Sequence, residues 1–196
     1  DTSKPFINVT FPESKTYDSK SIPRMINTSE LVRMISYSPD GKAFRSLCTK
    51  CDSYRRPKPF SDGQHNVTFR AYDYAGNFDE EFVDFEVDSM APLVRKVFPY
   101  EITNGTFWVV YTEDDLQSVT FYYDGHSKEM DCRSGKNMVC SVSVDLKDYD
   151  GSIIEYYFKL TDKVHYTVSQ LKSVRVDLAA NVEFKNDNSG GITPVF

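Results

Sequence analysis

The chain repeats itself. Asp1, Pro5, Phe11 and Pro12 match Asp88, Pro92, Phe98 and Pro99 at an offset of 87. Phe69 and Asp73 match Phe158 and Asp162 at an offset of 89, as Cys51 matches Cys140 and Asp88 matches Asp177. Asp62-Gly63 matches Asp150-Gly151 at 88. An ordered set of matches predicts two homologous units, each burying a core of its own. They run over 1–87 and 88–176 and leave a tail at 177–196. In that tail Asp177 holds the junction position without a following proline. Asn186 to Gly191 reads as a linker, and Ile192 to Phe196 either opens a further segment or docks on the second unit.

Alternation with a period of two fills both units. Ile7, Val9 and Phe11 show it, as do Val67, Phe69 and Ala71, then Val83, Phe85 and Val87. In the second unit it recurs at Val119, Phe121 and Tyr123, at Val142, Val144 and Leu146, and at Ile154, Tyr156, Phe158 and Leu160. Such stretches are half-buried strands. Asp40-Gly41, Asp62-Gly63, Asn104-Gly105, Asp124-Gly125 and Asp150-Gly151 supply the turns between them. About seven short strands in roughly 88 residues predict an all-β chain of two tandem immunoglobulin-like antiparallel β-sandwiches. The usual inter-sheet cysteine pair with a core tryptophan is missing, since the one tryptophan is Trp108 and the cysteines lie in local pairs.

The stretch from Ser61 to Asn77 holds Asp62-Gly63, His65, alternating Val67, Phe69 and Ala71, then Asp73 and Ala75-Gly76-Asn77. Val87, Asp88, Ala91 and Pro92 follow at the start of the next repeat. This resembles bacterial-type Ig-like repeat domains. Leu47 to Tyr54, with its Cys-x-x-Cys, is similar to a variant in archaeal surface proteins. The resemblance is carried by residues 44–92; in the second unit Asp162-Lys163-Val164-His165-Tyr166 replaces the Asp-x-Ala-Gly-Asn turn. It implies a piece of a larger cell-surface chain, in which such repeats act as spacers or adhesion units and calcium stiffens their joints.

Cys48 and Cys51 form one local pair, Cys132 and Cys140 another. A zinc site built from four cysteines needs two close pairs brought together, and a thioredoxin-like centre needs an α/β surround. Spacing here favours two short-loop disulfides, hence an oxidising compartment. Four sequons, at Asn8, Asn27, Asn66 and Asn104, are candidate N-glycosylation sites and point the same way. A net charge of −6 argues against nucleic acid as a partner. No apolar run reaches the ~20 residues of a membrane helix. The expected location is extracellular, at a cell surface.

His65, His126 and His165 are scattered, and acid pairs such as Glu113-Asp114-Asp115 read as solvated turns, so no enzyme is expected. Asp73, Asn77, Asp79 and Asp88 are candidate calcium ligands near the presumed joint, with Asp162 and Asp177 as partial equivalents. The competing expectation is that Asp73 caps its own turn. Trp108, Tyr111, Tyr122 and Tyr123 are candidate ligand-contacting aromatics, weighed against ordinary strand packing. The expected function is therefore a semi-rigid spacer, structural or adhesion module. The alternative is a glycan- or protein-binding module, including one accessory to an extracellular enzyme. Expected partners are neighbouring domains of the same parent chain, and surface glycans or a protein receptor.

Overall fold

Side-chain parity sets the core. Along the strand Gly63–Tyr72, His65, Val67, Phe69 and Ala71 are buried and their neighbours lie nearer solvent. Along Ile153–Thr161 the buried set is Ile154, Tyr156, Phe158 and Leu160. The computed structural model describes residues 2–180, 183–186 and 192–195. It divides into two units, Asp1–Met90 and Ala91–Phe196.

The first unit holds β1 (Ile7–Phe11), β2 (Thr16–Tyr17), β3 (Ser21–Ile22), β4 (Met25–Pro39), β5 (Arg45–Arg55), β6 (Lys58–Pro59), β7 (Gly63–Tyr72) and β8 (Phe78–Val87). One sheet runs β1-β4-β7-β8-β2, with β5 also on β4, and β3 pairs β6. The 15-residue β4 does double service. Its first residues pair with β1 and its last six with β7, while β5 follows it along the other edge. A register shift between Asn27 and Val32 marks the crossing. Ile7, Ile22, Ile26, Val32, Ile35, Phe69, Val83 and Phe85 are among the residues that fill the core.

The second unit holds β9 (Leu93–Phe98), β10 (Ile102–Thr103), β11 (Thr106–Glu113), β12 (Ser118–Tyr123), β13 (His126–Met130), β14 (Gly135–Ser143), β15 (Ile153–Thr161), β16 (Tyr166–Val168) and β17 (Lys172–Val176). Two separate sheets form, β10-β17-β15-β12-β13 with β16 on β15, and β14-β11-β9. Their facing sides enclose Phe107, Val109, Tyr111, Phe121, Tyr156, Phe158 and Leu160. Here β11 and β12 occupy the positions that the two halves of β4 fill in the first unit. Asp114, Asp115, Leu116 and Gln117 interrupt them.

Both sandwiches fasten an early strand to their closing strand in the same way. β2 lies parallel to β8 and β10 parallel to β17. The chain division falls three residues beyond the repeat boundary expected at 87. The Asp88 N–H still donates to the Tyr17 carbonyl, and the Ser89 N–H to Asp62. In the tail, β18 (Glu183–Asn186) and β19 (Ile192–Val195) pair antiparallel. Residues 187–191 of the expected linker lie outside the described residues.

Candidate functional site

Each unit ends its penultimate long strand on an inward-facing aspartate. In the first unit this is Asp73, 5% exposed. Asn77 turns back and donates its N–H to Asp73 Oδ1 at 2.8 Å and its amide to Oδ2 at 2.7 Å. Burial pushes the Asp73 carboxyl up, but these bonds and the turn N–H groups outweigh it and hold it below the usual range. Asp73 therefore caps its own turn. Asp79 is engaged elsewhere, by Lys4 at 2.6 Å and by the Ile7 N–H at 3.2 Å. Of the candidate calcium residues, Asp73, Asp79 and Asp88 form no convergent trio among the described residues. The reason is local: the turn and the β1 edge consume the carboxylates of Asp73 and Asp79.

The second unit differs. Its aspartate, Asp162, is 3% exposed and has no asparagine behind it. Oδ1 accepts the N–H groups of Val164, at 2.8 Å, and His165. Oδ2 has no hydrogen-bond partner; His165 Nδ1 stands 3.7 Å away. One oxygen each from Glu113, Asp115 and Asp162 lie within 4.8 Å of one another. Glu113 closes β11 and is only 7% exposed. Burial, then the adjacent Asp115 and Asp162 carboxylates, push its carboxyl up to about 7. Lys163 Nζ lies 3.4 Å from Asp115 Oδ2. The acid run at Glu113-Asp114-Asp115 is thus no solvated turn throughout. Parity gives the signal: Glu113 shares the inward phase of Phe107, Val109 and Tyr111.

The aromatic candidates separate by the same parity. Tyr111, expected to contact ligand, is instead fully buried, its hydroxyl donating to the Arg133 carbonyl at 2.6 Å. Trp108 lies on the outward side of β11, half-buried. Tyr122 stacks on Tyr157 across β12 and β15, with ring centroids 4.7 Å apart and planes 7° from parallel. Tyr123 lies against Phe121 and His126. Tyr122, Tyr123, His126, Glu155, Tyr157 and Leu171 line a groove of about 400 Å³.

Cys48–Cys51 and Cys132–Cys140 are disulfides, and no described cysteine is free. Each lies beside a sheet strand: Cys48 opposite Ile35 of β4, Cys140 opposite Val109 of β11. The sequon residues Asn8 and Asn66 are exposed, while Asn27 and Asn104 are half-buried. Asn66 donates to Asp84 at 3.0 Å and Asn104 accepts the Thr106 N–H at 3.2 Å. The histidines stay apart. His65 bonds Asp40 and the Ser61 carbonyl, His126 meets the Tyr149 hydroxyl at 3.3 Å, and His165 belongs to the Asp162 turn.

No protein-family model matches the chain, and no curated protein matches it. Among solved structures it is similar to the D1–D2 segment of Rst, with a TM-score of 0.55 at 10% identity over 87% of this chain and 99% of that one. It is also similar to murine CEACAM1b (TM-score 0.46, 12% identity, 88% and 100% covered). A segment of two fibronectin type-III domains from chicken tenascin gives a TM-score of 0.43 at 10% identity, with 98% and 100% covered. At these identities the likeness is one of fold. The topology places the chain in the class of tandem immunoglobulin-like β-sandwich proteins.

No helix of the described residues is long and apolar enough to cross a membrane.

Proposed function

We propose that this chain is a non-catalytic extracellular module of a larger cell-surface or secreted protein, a semi-rigid spacer with a structural or adhesive role. The observation that carries it is the duplication of a complete sandwich, each copy with its own core and its own local disulfide. A chain built to do chemistry on one site has no need of two such copies in series. The disulfides suit an oxidising compartment, and the repeats resemble those of bacterial and archaeal surface proteins. The short junction supports stiffness: few residues separate β8 from β9, and Pro92 restricts them further. NMR relaxation of the whole chain tests it. Both units should report one common tumbling time; two distinct, shorter times would mean a flexible tether and end the spacer reading.

A second function is favoured by one specific feature, the Tyr122–Tyr157 stack in its groove. Sugar rings pack their C–H faces on such aromatics, and Glu155 and His126 beside them supply hydrogen-bond partners for hydroxyls. In this reading the module presents a glycan-binding face. A glycan array answers it: binding should vanish in Tyr157→Ala and survive in Trp108→Ala. An array with no binder for the wild type removes this reading and leaves the spacer untouched.

A further inference from the structure

We propose that Glu113, Asp115 and Asp162 form a binding site for a calcium ion within the second unit. Three carboxylates sharing one small volume repel each other when ionised, and a cation standing between them relieves that repulsion while keeping all three charged. Their nearest oxygens lie within 4.8 Å of one another. Calcium–oxygen bonds of about 2.3–2.6 Å allow two ligands of one ion to stand up to about 5 Å apart, whereas magnesium bonds of about 2.0–2.1 Å draw them closer. All three donors are hard carboxylate oxygens, the class calcium takes. Water and main-chain carbonyls commonly complete its six to eight ligands.

A second observation is independent of that spacing. The Asp162 side chain has no solvent exposure, and its Oδ2 has no hydrogen-bond partner. A buried carboxylate oxygen left without a partner is costly. The first unit shows what would otherwise satisfy it: there the equivalent Asp73 has both oxygens filled by Asn77. In the second unit the turn is one residue shorter. Asp73 N–H donates to the Asn77 carbonyl, but Asp162 N–H donates to that of His165. His165 then stands too far off to replace the amide, at 3.7 Å. The asparagine is gone from one repeat, and two further carboxylates have come in. Lys163 offsets part of this charge from the rim, where its side chain is 37% exposed and reaches Asp115. A divalent cation neutralises the group from its centre.

Trp108 is the one tryptophan of the chain and lies on β11, the strand that ends in Glu113. Its fluorescence therefore reports the unfolding of this unit alone. We expect 5 mM CaCl2 to raise the Trp108 melting temperature of the full chain by about 5 °C over EDTA, as for a millimolar site. The same concentration of MgCl2 should raise it by less than half as much. Asp162→Asn and Glu113→Gln should fold without calcium, since each relieves repulsion, and should lose the shift. Asp115→Asn, at a more exposed position, provides a third variant if either fails to fold. No calcium shift in the wild type would overturn the site. So would a shift that persists in the variants. An equal response to magnesium would overturn the assignment to calcium. A melting temperature that rises on acidification through histidine's range, with calcium inert, would assign Asp162 to a protonated His165 instead.

Discussion

Asp62 shows how one side chain ties a turn to a chain end. Its carboxylate accepts Lys20 Nζ at 2.8 Å, and the Ser89 hydroxyl and N–H at 2.6 and 3.0 Å. Lys20 first, then Ser89, hold the carboxyl at about 2. The unfolded chain titrates near 4. Because the folded value is the lower one, the stabilisation is present at neutral pH and is lost as pH falls from about 4 through 2. Exposure of roughly a quarter of the side chain keeps the effect modest. Asp62→Asn should therefore lower the urea midpoint at pH 7, and the gap to wild type should shrink sharply as pH falls towards 2. A gap of equal size at both would assign the effect to packing. Gly105 is constrained differently. It has φ +101°, and a Cβ there would sit 2.6 Å from the Val144 carbonyl oxygen. That same stretch of backbone bonds back, Val144 N–H to the Gly105 carbonyl at 2.9 Å. Gly105→Ala should cost about 1–3 kcal/mol by Trp108-detected urea unfolding; a neutral result would show that the turn relaxes freely.

At the level of strands, the alternating segments were legible because one face of each is buried. β7, β8, β11, β12 and β15 all follow the period-two pattern of the sequence. β5 was not legible: exposed or half-buried along its whole length, it has no inward face to write a pattern. β4 was obscured where Ser29, Glu30 and Leu31 break phase at its crossing from one partner to the next. Glu113, read as part of a solvated turn, and Asp162, read only as a partial equivalent of the joint ligands, were misplaced for the opposite reason. Each lies in phase with a core face, but charge suggests solvent, and only parity counted past the last apolar residue would have placed them inside. The aromatic layer of the second unit gives the strongest element-level test. Phe121 is fully buried, with Phe107 at 4.5 Å, Phe158 at 5.1 Å and Tyr156 at 5.9 Å between ring centroids. Phe121→Ala should cost about 3–5 kcal/mol, read as a shift of the Trp108 transition in urea. A loss under about 1 kcal/mol would mean that the layer collapses to fill the space.

For the whole molecule, the duplication predicts two folding units. The buried residues separate into two clusters, one from each repeat. A sandwich of roughly a hundred residues is large enough to fold alone, so residues 91–196 expressed by themselves should show a cooperative Trp108 transition. A broad, non-cooperative one would show that the second unit depends on the first. The parallel pairings at the strand ends have a mechanical consequence. The N–H groups of Glu86 and Asp88 donate to the Lys15 and Tyr17 carbonyls, and those of Arg175 and Asp177 to the carbonyls of Glu101 and Thr103. Each sandwich is thus closed by backbone bonds between an early strand and its closing strand. Tension applied through the two chain ends drags such parallel strands past each other, so the bonds carry load side by side in shear instead of opening one after another like a zip. Stretched in a force spectrometer, the chain should give two peaks, one per unit. Arg175→Pro, which deletes one donor of the second clamp, should lower only one of them. Strand order alone then turns a pair of ordinary sandwiches into a tether with two matched breaking points.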